Sequence, residues 1–140
     1  MASINVVVRK AGLEDMCSCL EVERSQGDDT FSELDFRESI IEPNAIFLVA
    51  ELDELVVGFV LGFIVPTRKK EAILHSTMVH IQHCGKGIGS SLVRGFVNRA
   101  FERGAELVYA EVEDGPDKFY ERCGFEKTSI WHSMVFRKGK

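Results

Sequence analysis

The sequence predicts one α/β domain over residues 1–140, a mixed α+β sheet in three layers with helices on both faces. The first observation is the order of its hydrophobic patterns, β-α-α-β-β-β-α-β-α-β-β, which corresponds to about seven strands and four helices. The second is a strand, a glycine turn and a helix in direct succession between Ala72 and Phe101. The third is length, because a chain of 140 residues buries most of its apolar surface around a single core.

The first elements are a strand and two helices. Residues 4–8 are rich in β-branched side chains, as in a strand. The next segment has apolar residues at the i, i+3, i+4 and i+7 spacing of one buried helical stripe, namely Leu13, Met16, Cys17 and Leu20. A second helix is expected to begin with Thr30 or Asp29 as its N-cap and to stop at Pro43. Its apolar positions are Phe31, Leu34, Ile40 and Ile41.

A β-hairpin comes next. Residues 45–52 and 55–65 are two strand-like runs, and the turn between them is Asp53-Glu54. Gly58 and Gly62 interrupt the second run, which predicts a bulge or a close approach of another backbone.

The central unit follows a polar break at residues 66–70. A strand is predicted over residues 72–81, and a helix begins after the glycine turn and ends at Gly104. The helix has a continuous apolar face made of Ile88, Leu92, Val93, Phe96, Val97, Ala100 and Phe101. Residues 107–112 form a strand that can lie parallel to the strand before the helix, which completes a right-handed βαβ unit.

The last elements are a short helix and a closing hairpin. Pro116 suits the first turn of a helix over residues 117–122, which Gly124 ends. The hairpin is expected from residues 125–129 and 131–137, and the second of these strands is a candidate edge for a homodimer.

Composition limits the function classes. Hydrophobic residues make up 45% of the chain and charged residues 28%, as in an ordinary folded domain. The net charge of −5 argues against non-specific binding to nucleic acid or to an anionic membrane. The N-terminus has no secretory signal pattern, and the longest apolar run is too short to cross a bilayer, so the expected location is cytoplasmic.

The four cysteines predict neither a metal site nor disulfides. Cys17 and Cys19 are separated by one residue, a spacing unlike that of zinc knuckles or of CxxC redox pairs. Together with Cys84 and Cys123, they are expected to be free thiols, as is usual inside cells.

The glycine turn predicts an anion site. Gly85, Gly87 and Gly89 carry no Cβ atoms that would keep a ligand away from the backbone. The free N–H groups of the first turn of the following helix point toward that space, and the helix dipole adds partial positive charge. A strand, a glycine turn and a helix in this order therefore favour binding of phosphate or pyrophosphate.

Two motifs carry a resemblance to a known family. The first reads Val79-His80-Ile81-Gln82-His83-Cys84-Gly85-Lys86-Gly87-Ile88-Gly89, and the second reads Phe119-Tyr120-Glu121-Arg122-Cys123-Gly124-Phe125. With these motifs in this element order, the chain resembles the GCN5-related N-acetyltransferases (the GNAT superfamily) over essentially its whole length. Cys84 stands where the family usually has Arg or Gln, so the backbone must carry the anion here.

The resemblance implies that the chain binds acetyl-CoA as a co-substrate and moves its acetyl group to an amine by direct attack in a ternary complex. The pyrophosphate would lie against the N–H groups of Gly85 through Ser90, and the pantetheine arm against the strand at Met78, Val79 and His80. The implied cofactor-binding residues are Met78, Val79, His80, His83, Cys84, Gly85, Lys86, Gly87, Ile88, Gly89, Ser90, Phe119 and Tyr120.

The resemblance also implies one of the proton-transfer groups. Tyr120 is the expected general acid, because the family places a tyrosine here near the thioester sulfur, and a phenol can protonate a thiolate when it is closely positioned. The base is suggested by strand position instead: Glu111 is the expected general base, and Glu113, His75 and His80 stay open for this role. A water relay with no dedicated base, as in many relatives, is a further alternative.

The acceptor side is predicted to be acidic. Residues 21–42 carry an excess of six negative charges, from eight acidic residues and two arginines. The family uses this helix pair as a wall of the acceptor cleft, so an acidic wall would steer a cationic amine toward it; two solvated helix faces are the alternative. The eight acidic residues are Glu21, Glu23, Asp28, Asp29, Glu33, Asp35, Glu38 and Glu42.

Two other function classes fit the sequence less well. A dinucleotide-binding module fits poorly, because the glycines are not spaced as G-x-G-x-x-G and the turn lies in the middle of the chain. A non-catalytic acyl-CoA-binding or regulatory protein stays open, although Tyr120 argues against it, since a pure binder needs no well-placed acid.

Overall fold

The computed structural model describes residues 5–66, 68–111 and 117–127. Within these residues, one sheet of five strands lies between two layers of helices, and the strands follow one another across the sheet in chain order. They are β1 (Val6–Lys10), β2 (Ala45–Leu52), β3 (Leu55–Val65), β4 (Arg68–Val79) and β5 (Leu107–Ala110). The helices are α1 (Met16–Ser25), α2 (Glu33–Ile41), α3 (Ile88–Glu102) and α4 (Asp117–Arg122). The first four strands are antiparallel, and β5 runs parallel to β4.

The two faces of the sheet have separate apolar cores. α1 and α2 pack on one face, where Phe36 and Phe59 are completely buried. α3 and α4 pack on the other, where Phe96 from α3 and Tyr120 from α4 join the core. The predicted three-layer arrangement with helices on both faces is therefore confirmed.

The predicted element order is also confirmed as far as α4. The closing hairpin lies mostly on residues 128–140, outside the described residues, while residues 125–127 have no regular structure. The last two residues of the predicted strand at 107–112 are Glu111, which follows β5, and Val112, which lies outside the described residues.

The limits of β4 differ from the prediction at both ends. The polar segment 66–70 was expected to separate two strands, but β4 already begins at Arg68. Backbone pairing does not need apolar side chains at a strand end, and here the exposed Lys70 accepts a hydrogen bond from the N–H of Glu106 at 2.6 Å. At the other end β4 stops at Val79, because Ile81–His83 form a 3₁₀ turn.

The predicted buried stripe of the first helix is half right, because Met16 is buried and Leu20 packs partly buried against the core. Leu13 is 57% exposed and Cys17 is exposed, whereas the buried positions of α1 are Met16, Cys19, Val22 and Glu23. Leu13–Asp15 form a separate 3₁₀ turn before α1, and the tighter winding of that turn changes which residues face the sheet.

The predicted N-cap of the second helix is also wrong. Ser32 caps α2, since its hydroxyl accepts the N–H of Asp35 while the Asp35 carboxylate accepts the N–H of Ser32 at 2.8 Å. Thr30 instead donates its N–H and hydroxyl to Asp28 in a separate turn. Of the predicted apolar positions of α2, Leu34 and Ile41 are exposed.

The hairpin and the glycine in β3 agree with the sequence. Asp53 and Glu54 form the turn between β2 and β3, with φ angles of 51° and 67°. A Cβ atom on Gly62 would lie 2.2 Å from the carbonyl oxygen of Ile73 and 2.5 Å from Phe96 Cζ, so the predicted close approach is present. β4 has one extra residue opposite this point, because Leu61 pairs with Ser76 and Gly62 with Leu74. His75 is that extra residue.

An ion-pair network ties β1 to the start of α1. The Arg9 guanidinium donates two hydrogen bonds of 2.8 Å to the buried Asp15 and a third of 2.8 Å to Glu51 on β2. Asp15 also accepts the N–H of Gly12 at 2.7 Å. These bonds hold the pKa of the Asp15 carboxyl below its usual value, with the Arg9 bonds as the main cause.

No helix within the described ranges is long and apolar enough to cross a membrane.

Candidate active site

The last part of β4 separates from β5. The two strands pair from Glu71 with Leu107 to Leu74 with Ala110, and a hydrogen bond of 3.0 Å from Glu111 N–H to Leu74 O closes this ladder. β4 continues to Val79, and among the described residues this stretch pairs with β3 alone. Within the described ranges, one edge of β4 therefore has no strand partner between Ser76 and Val79; this stretch is called the open edge.

The open edge presents particular backbone groups. His80 donates its N–H to Val57 O on β3 at 2.8 Å. Because backbone groups alternate in direction along an antiparallel strand, the N–H and C=O of Met78 also face β3, and those of Val79 and Thr77 face away from it. Of the three residues expected to pair with a pantetheine arm, Val79 is thus the one whose backbone groups face the open edge.

The glycine turn follows this edge. Gly85 and Gly87 have φ angles of 81° and 80°, a left-handed conformation that residues with a Cβ atom rarely adopt. The first helical hydrogen bond of α3 runs from Ser91 N–H to Gly87 O at 3.1 Å. The N–H groups of Ile88, Gly89 and Ser90 consequently have no acceptor within the helix, which is the arrangement expected of an anion site.

The side chains of the turn have different partners. Lys86 Nζ lies 3.3 Å from His83 Nδ1, so two nitrogen-bearing side chains sit together on the turn. The Cys84 thiol is directed toward the end of α1, where its Sγ atom lies 3.2 Å from Gln26 Nε2. That backbone donors, more than a side chain, hold the anion stays a prediction.

α4 packs against the start of α3. A Cβ atom on Gly89 would lie 3.3 Å from Phe119 Cζ, so a glycine here lets the Phe119 ring approach the helix closely. Cys123 Sγ lies 3.9 Å from Ser90 Oγ in the same contact. The structure thereby brings the two motifs of the sequence, 79–89 and 119–125, side by side.

Tyr120 lies between this contact and the open edge of β4. Its side chain is buried, and its hydroxyl is 3.4 Å from Thr77 Oγ1, on the strand residue whose backbone faces the gap. The rings of Phe119 and Phe125 flank it at centroid distances of 5.1 and 5.5 Å. Burial raises the pKa of the Tyr120 phenol, a shift that the contact with Thr77 partly opposes. The phenol is therefore protonated at neutral pH.

A histidine and a carboxylate meet at the base of the gap. His75 Nδ1 lies 2.8 Å from Glu111 Oε2, and both side chains are accessible to solvent. The Phe31 ring packs edge-on against His75 with a centroid distance of 5.7 Å. Two residues that the sequence named separately as candidate bases thus form one pair.

The other two candidate bases have different positions. His80 Nδ1 accepts the N–H of Gln82 at 3.2 Å, and its Nε2 lies 3.6 Å from Glu21, so this ring belongs to the 3₁₀ turn. Glu113 lies outside the described residues.

The acidic helix pair is not uniformly solvated. Glu23 is 1% exposed, and both of its carboxylate oxygens lie 3.3 Å from the N–H of Phe31. Burial raises the pKa of Glu23, and the neighbouring Asp28, Asp29 and Asp35 raise it further. The remaining acidic residues of this region, apart from Asp28, are exposed.

Sequence reasoning missed several members of the site. Thr77 and Ser25 carry no motif signal, Gln26 was counted only as part of a helix break, and Phe31 was predicted as a core position. No group of three or more His, Cys, Asp or Glu side chains in the described part of the chain could hold a metal ion.

Comparisons with known proteins place the arrangement among acetyltransferases. Residues 13–125 match the family model described as Acetyltransferase (GNAT) family. The chain is similar to an uncharacterized N-acetyltransferase of Methanocaldococcus jannaschii, with 35% identity over 101 residues that cover 65% of this chain and 45% of that protein. It is also similar to an N-alpha-acetyltransferase of Sulfurisphaera tokodaii, with 29% identity over 136 residues that cover 88% of this chain and 81% of that protein.

A solved structure shows the same fold. The PaiA N-acetyltransferase of Thermoplasma acidophilum in complex with coenzyme A superposes with a TM-score of 0.76 at 20% identity, covering 88% of this chain and 91% of that chain. The chain spans less than half the length of the Methanocaldococcus relative and most of the Sulfurisphaera relative.

Proposed function

The chain belongs to the acetyltransferase (GNAT) family, and from that premise we propose that it transfers an acetyl group from acetyl-CoA to a primary amine by direct attack in a ternary complex. The observation that carries the proposal is the position of the Tyr120 hydroxyl, 3.4 Å from Thr77 on the open edge of β4 and beside the anion site at the start of α3.

Acetyl-CoA is proposed to bind along this edge. Its pyrophosphate would accept hydrogen bonds from the N–H groups between Gly85 and Ser90, and the amides of its pantetheine arm would pair with Val79. The left-handed glycines and the outward backbone of Val79 support this placement. The related fold of the Thermoplasma acetyltransferase was solved with coenzyme A, which supports the same class of ligand.

The proposed reaction is one displacement at the thioester carbonyl. An ammonium acceptor first loses one proton to solvent. The lone pair of the resulting neutral amine forms the new C–N bond, and the C–S bond breaks with its electrons on sulfur. Glu111, in contact with His75, takes the proton that the amine nitrogen loses. Tyr120 gives its phenol proton to the departing thiolate, so the products are an amide and coenzyme A. Exchange with water then returns the proton to Tyr120 and removes the one on Glu111.

The acceptor is proposed to be a cationic primary amine, such as a polyamine, a lysine side chain, a small-molecule amine or a peptide N-terminus. The excess of acidic residues over 21–42 supports a cationic acceptor, because the segment that carries them includes Phe31, whose ring packs against His75 at the gap. The name of the Sulfurisphaera relative places peptide N-termini first among the amines to test. A single domain over 1–140, a cytoplasmic location and a homodimer stay predictions.

The proposal is tested by the release of coenzyme A thiol from acetyl-CoA across an amine panel. The panel contains peptides with free N-termini, the same peptides blocked at the N-terminus but containing lysine, and a polyamine. We expect amine-dependent thiol release with formation of the acetylated amine. Tight binding of acetyl-CoA without turnover on any amine would favour the non-catalytic binding protein, and absence of acetyl-CoA binding by the folded chain would overturn the assignment of the cofactor.

A further inference from the structure

The end of α1 holds the segment that follows β4. Ser25 Oγ accepts the N–H of Ile81 at 3.0 Å, and Gln26 Nε2 donates to the carbonyl oxygen of Val79 at 2.7 Å. The same Gln26 nitrogen lies 3.2 Å from Cys84 Sγ. Two adjacent residues of one helix end therefore contact the last residue of β4, the 3₁₀ turn and the glycine turn.

The Gln26 contact lies on the edge that a ligand would need. The Val79 carbonyl points away from β3, toward the side on which β5 has ended. Its present donor is a carboxamide N–H, which is the same kind of donor as the amide N–H groups of a pantetheine arm. The 2.7 Å distance and the position on the open edge are what an amide ligand bound to this carbonyl would have.

We propose that the Gln26 side chain takes the place of a pantetheine amide on Val79 in the free protein and leaves it when acetyl-CoA binds. The inference rests on the proposed function, because it takes the pantetheine arm to pair with this edge. Gln26 is a positioning residue under this proposal: it keeps the open edge hydrogen-bonded in the free protein and lowers the affinity for the cofactor by competing with it.

The two neighbouring contacts should affect affinity in opposite directions. Releasing Gln26 costs one hydrogen bond, so Gln26→Leu should tighten acetyl-CoA binding by about three- to tenfold. Ser25 bonds the turn at Ile81 and does not occupy the open edge, so Ser25→Ala should loosen the turn and weaken binding by a similar factor. Ser18→Ala, a neutral substitution elsewhere on α1, should leave the affinity unchanged.

The direct test follows the Gln26 side-chain NH₂ signals by ¹⁵N NMR during titration with coenzyme A, after assignment by their loss in Gln26→Leu. We expect hydrogen-bonded NH₂ signals in the free protein that move to the positions of a solvated glutamine at saturation. The amide signals of Gly85 and Gly87 report independently that the cofactor has bound.

Calorimetric titration of the three variants with acetyl-CoA completes the test. The proposed replacement of Gln26 by a pantetheine amide is wrong if the Gly85 and Gly87 signals shift while the Gln26 signals stay in place. It is also wrong if Gln26→Leu binds acetyl-CoA no more tightly than the wild type does. In both cases the proposed acetyl-CoA site stands. If neither glycine amide signal shifts and no heat of acetyl-CoA binding is measured, the proposed function itself is wrong, and the proposed role of Gln26 is wrong with it.

Discussion

The Nδ1 atom of His75 lies 2.8 Å from the Oε2 atom of Glu111, and this contact joins the bulged residue of β4 to the residue that follows β5. It lies just past the last backbone pair between the two strands. The two side chains therefore stand at the base of the gap, on the side where the Phe31 ring packs against His75. A proton accepted by Glu111 would be shared with a second titratable group at hydrogen-bond distance.

The pair predicts a coupled loss of activity. Glu111→Gln should lower kcat/KM for the amine by about 10- to 100-fold, because the amide cannot accept the proton, while the Kd for acetyl-CoA stays within about twofold. His75→Ala should lower kcat/KM less. If the two act as one unit, the double variant should be little worse than Glu111→Gln alone, and fully additive losses measured by steady-state kinetics would separate their roles.

Removing the Tyr120 hydroxyl is expected to lower kcat without affecting acetyl-CoA binding. Tyr120→Phe keeps the ring contacts with Phe119 and Phe125 and removes only the hydroxyl, so stability and acetyl-CoA affinity should change little. We expect kcat to fall by about 100-fold or more, the usual contribution of a general acid. Stopped-flow or steady-state thiol release measures kcat, and calorimetry measures the affinity. A kcat equal to that of the wild type would remove Tyr120 from the mechanism.

The ion pair between Asp15 and Arg9 is expected to make the free energy of unfolding fall in acid. Its folded pKa lies below the usual value because of the Arg9 bonds, so its stabilising effect is complete above the pKa of the unfolded chain and disappears as the pH falls through the folded pKa. Asp15→Asn should lower the free energy of unfolding by about 2 kcal/mol at pH 7 and by much less near pH 2. Urea titrations at both pH values measure the difference, and an equal cost at each pH would contradict the ion-pair explanation.

The buried Glu23 is expected to make the free energy of unfolding depend on pH in the opposite direction. Its folded pKa is raised by burial, so the folded state binds more protons than the unfolded one, and stability falls as the pH rises from the unfolded pKa through the folded value. Glu23→Gln should remove this slope and raise the free energy of unfolding at pH 7 by about 1 kcal/mol, because no charge is then buried.

The control for Glu23→Gln is Glu14→Gln, a change of the same kind at an exposed residue of the 3₁₀ turn before α1. It should leave the dependence of stability on pH as it is in the wild type. A stability at pH 7 that is lower in Glu23→Gln than in the wild type would show that the ionised carboxylate is needed to hold the N–H of Phe31.

Much of the fold could be predicted because the patterns that define it are local. The apolar face of α3 and the turn at Asp53 and Glu54 each follow from a few neighbouring residues. Leu13 and Cys17 were wrongly predicted to face the sheet, because Leu13–Asp15 form a separate 3₁₀ turn, and the charged Glu23 was not expected among the buried residues of α1. The spacing of apolar residues along the sequence reveals neither the 3₁₀ turn nor the burial of a charged side chain.

Site residues that belong to a short local motif could be predicted from the sequence. Contacts between residues that are far apart in the sequence could not. The glycine turn and Tyr120 follow from short patterns. The pairing of His75 with Glu111 depends on one extra residue in β4, and the contact of Gln26 with Val79 joins residues 53 positions apart. Such contacts depend on strand register and on the length of α1, which a single sequence does not reveal.

The extra residue at His75 has a consequence for the direction of proton flow. It lets the imidazole reach Phe31 on the side of α1 and α2, while Thr77, two residues later, reaches Tyr120 on the side of α3. The strand thus acts as a partition, with the proposed proton acceptor Glu111 on one side and the proposed proton donor Tyr120 on the other. Because the backbone of β4 lies between these two groups, we expect no direct proton transfer from Tyr120 to Glu111. The reacting thioester would contact both groups only when it lies in the gap.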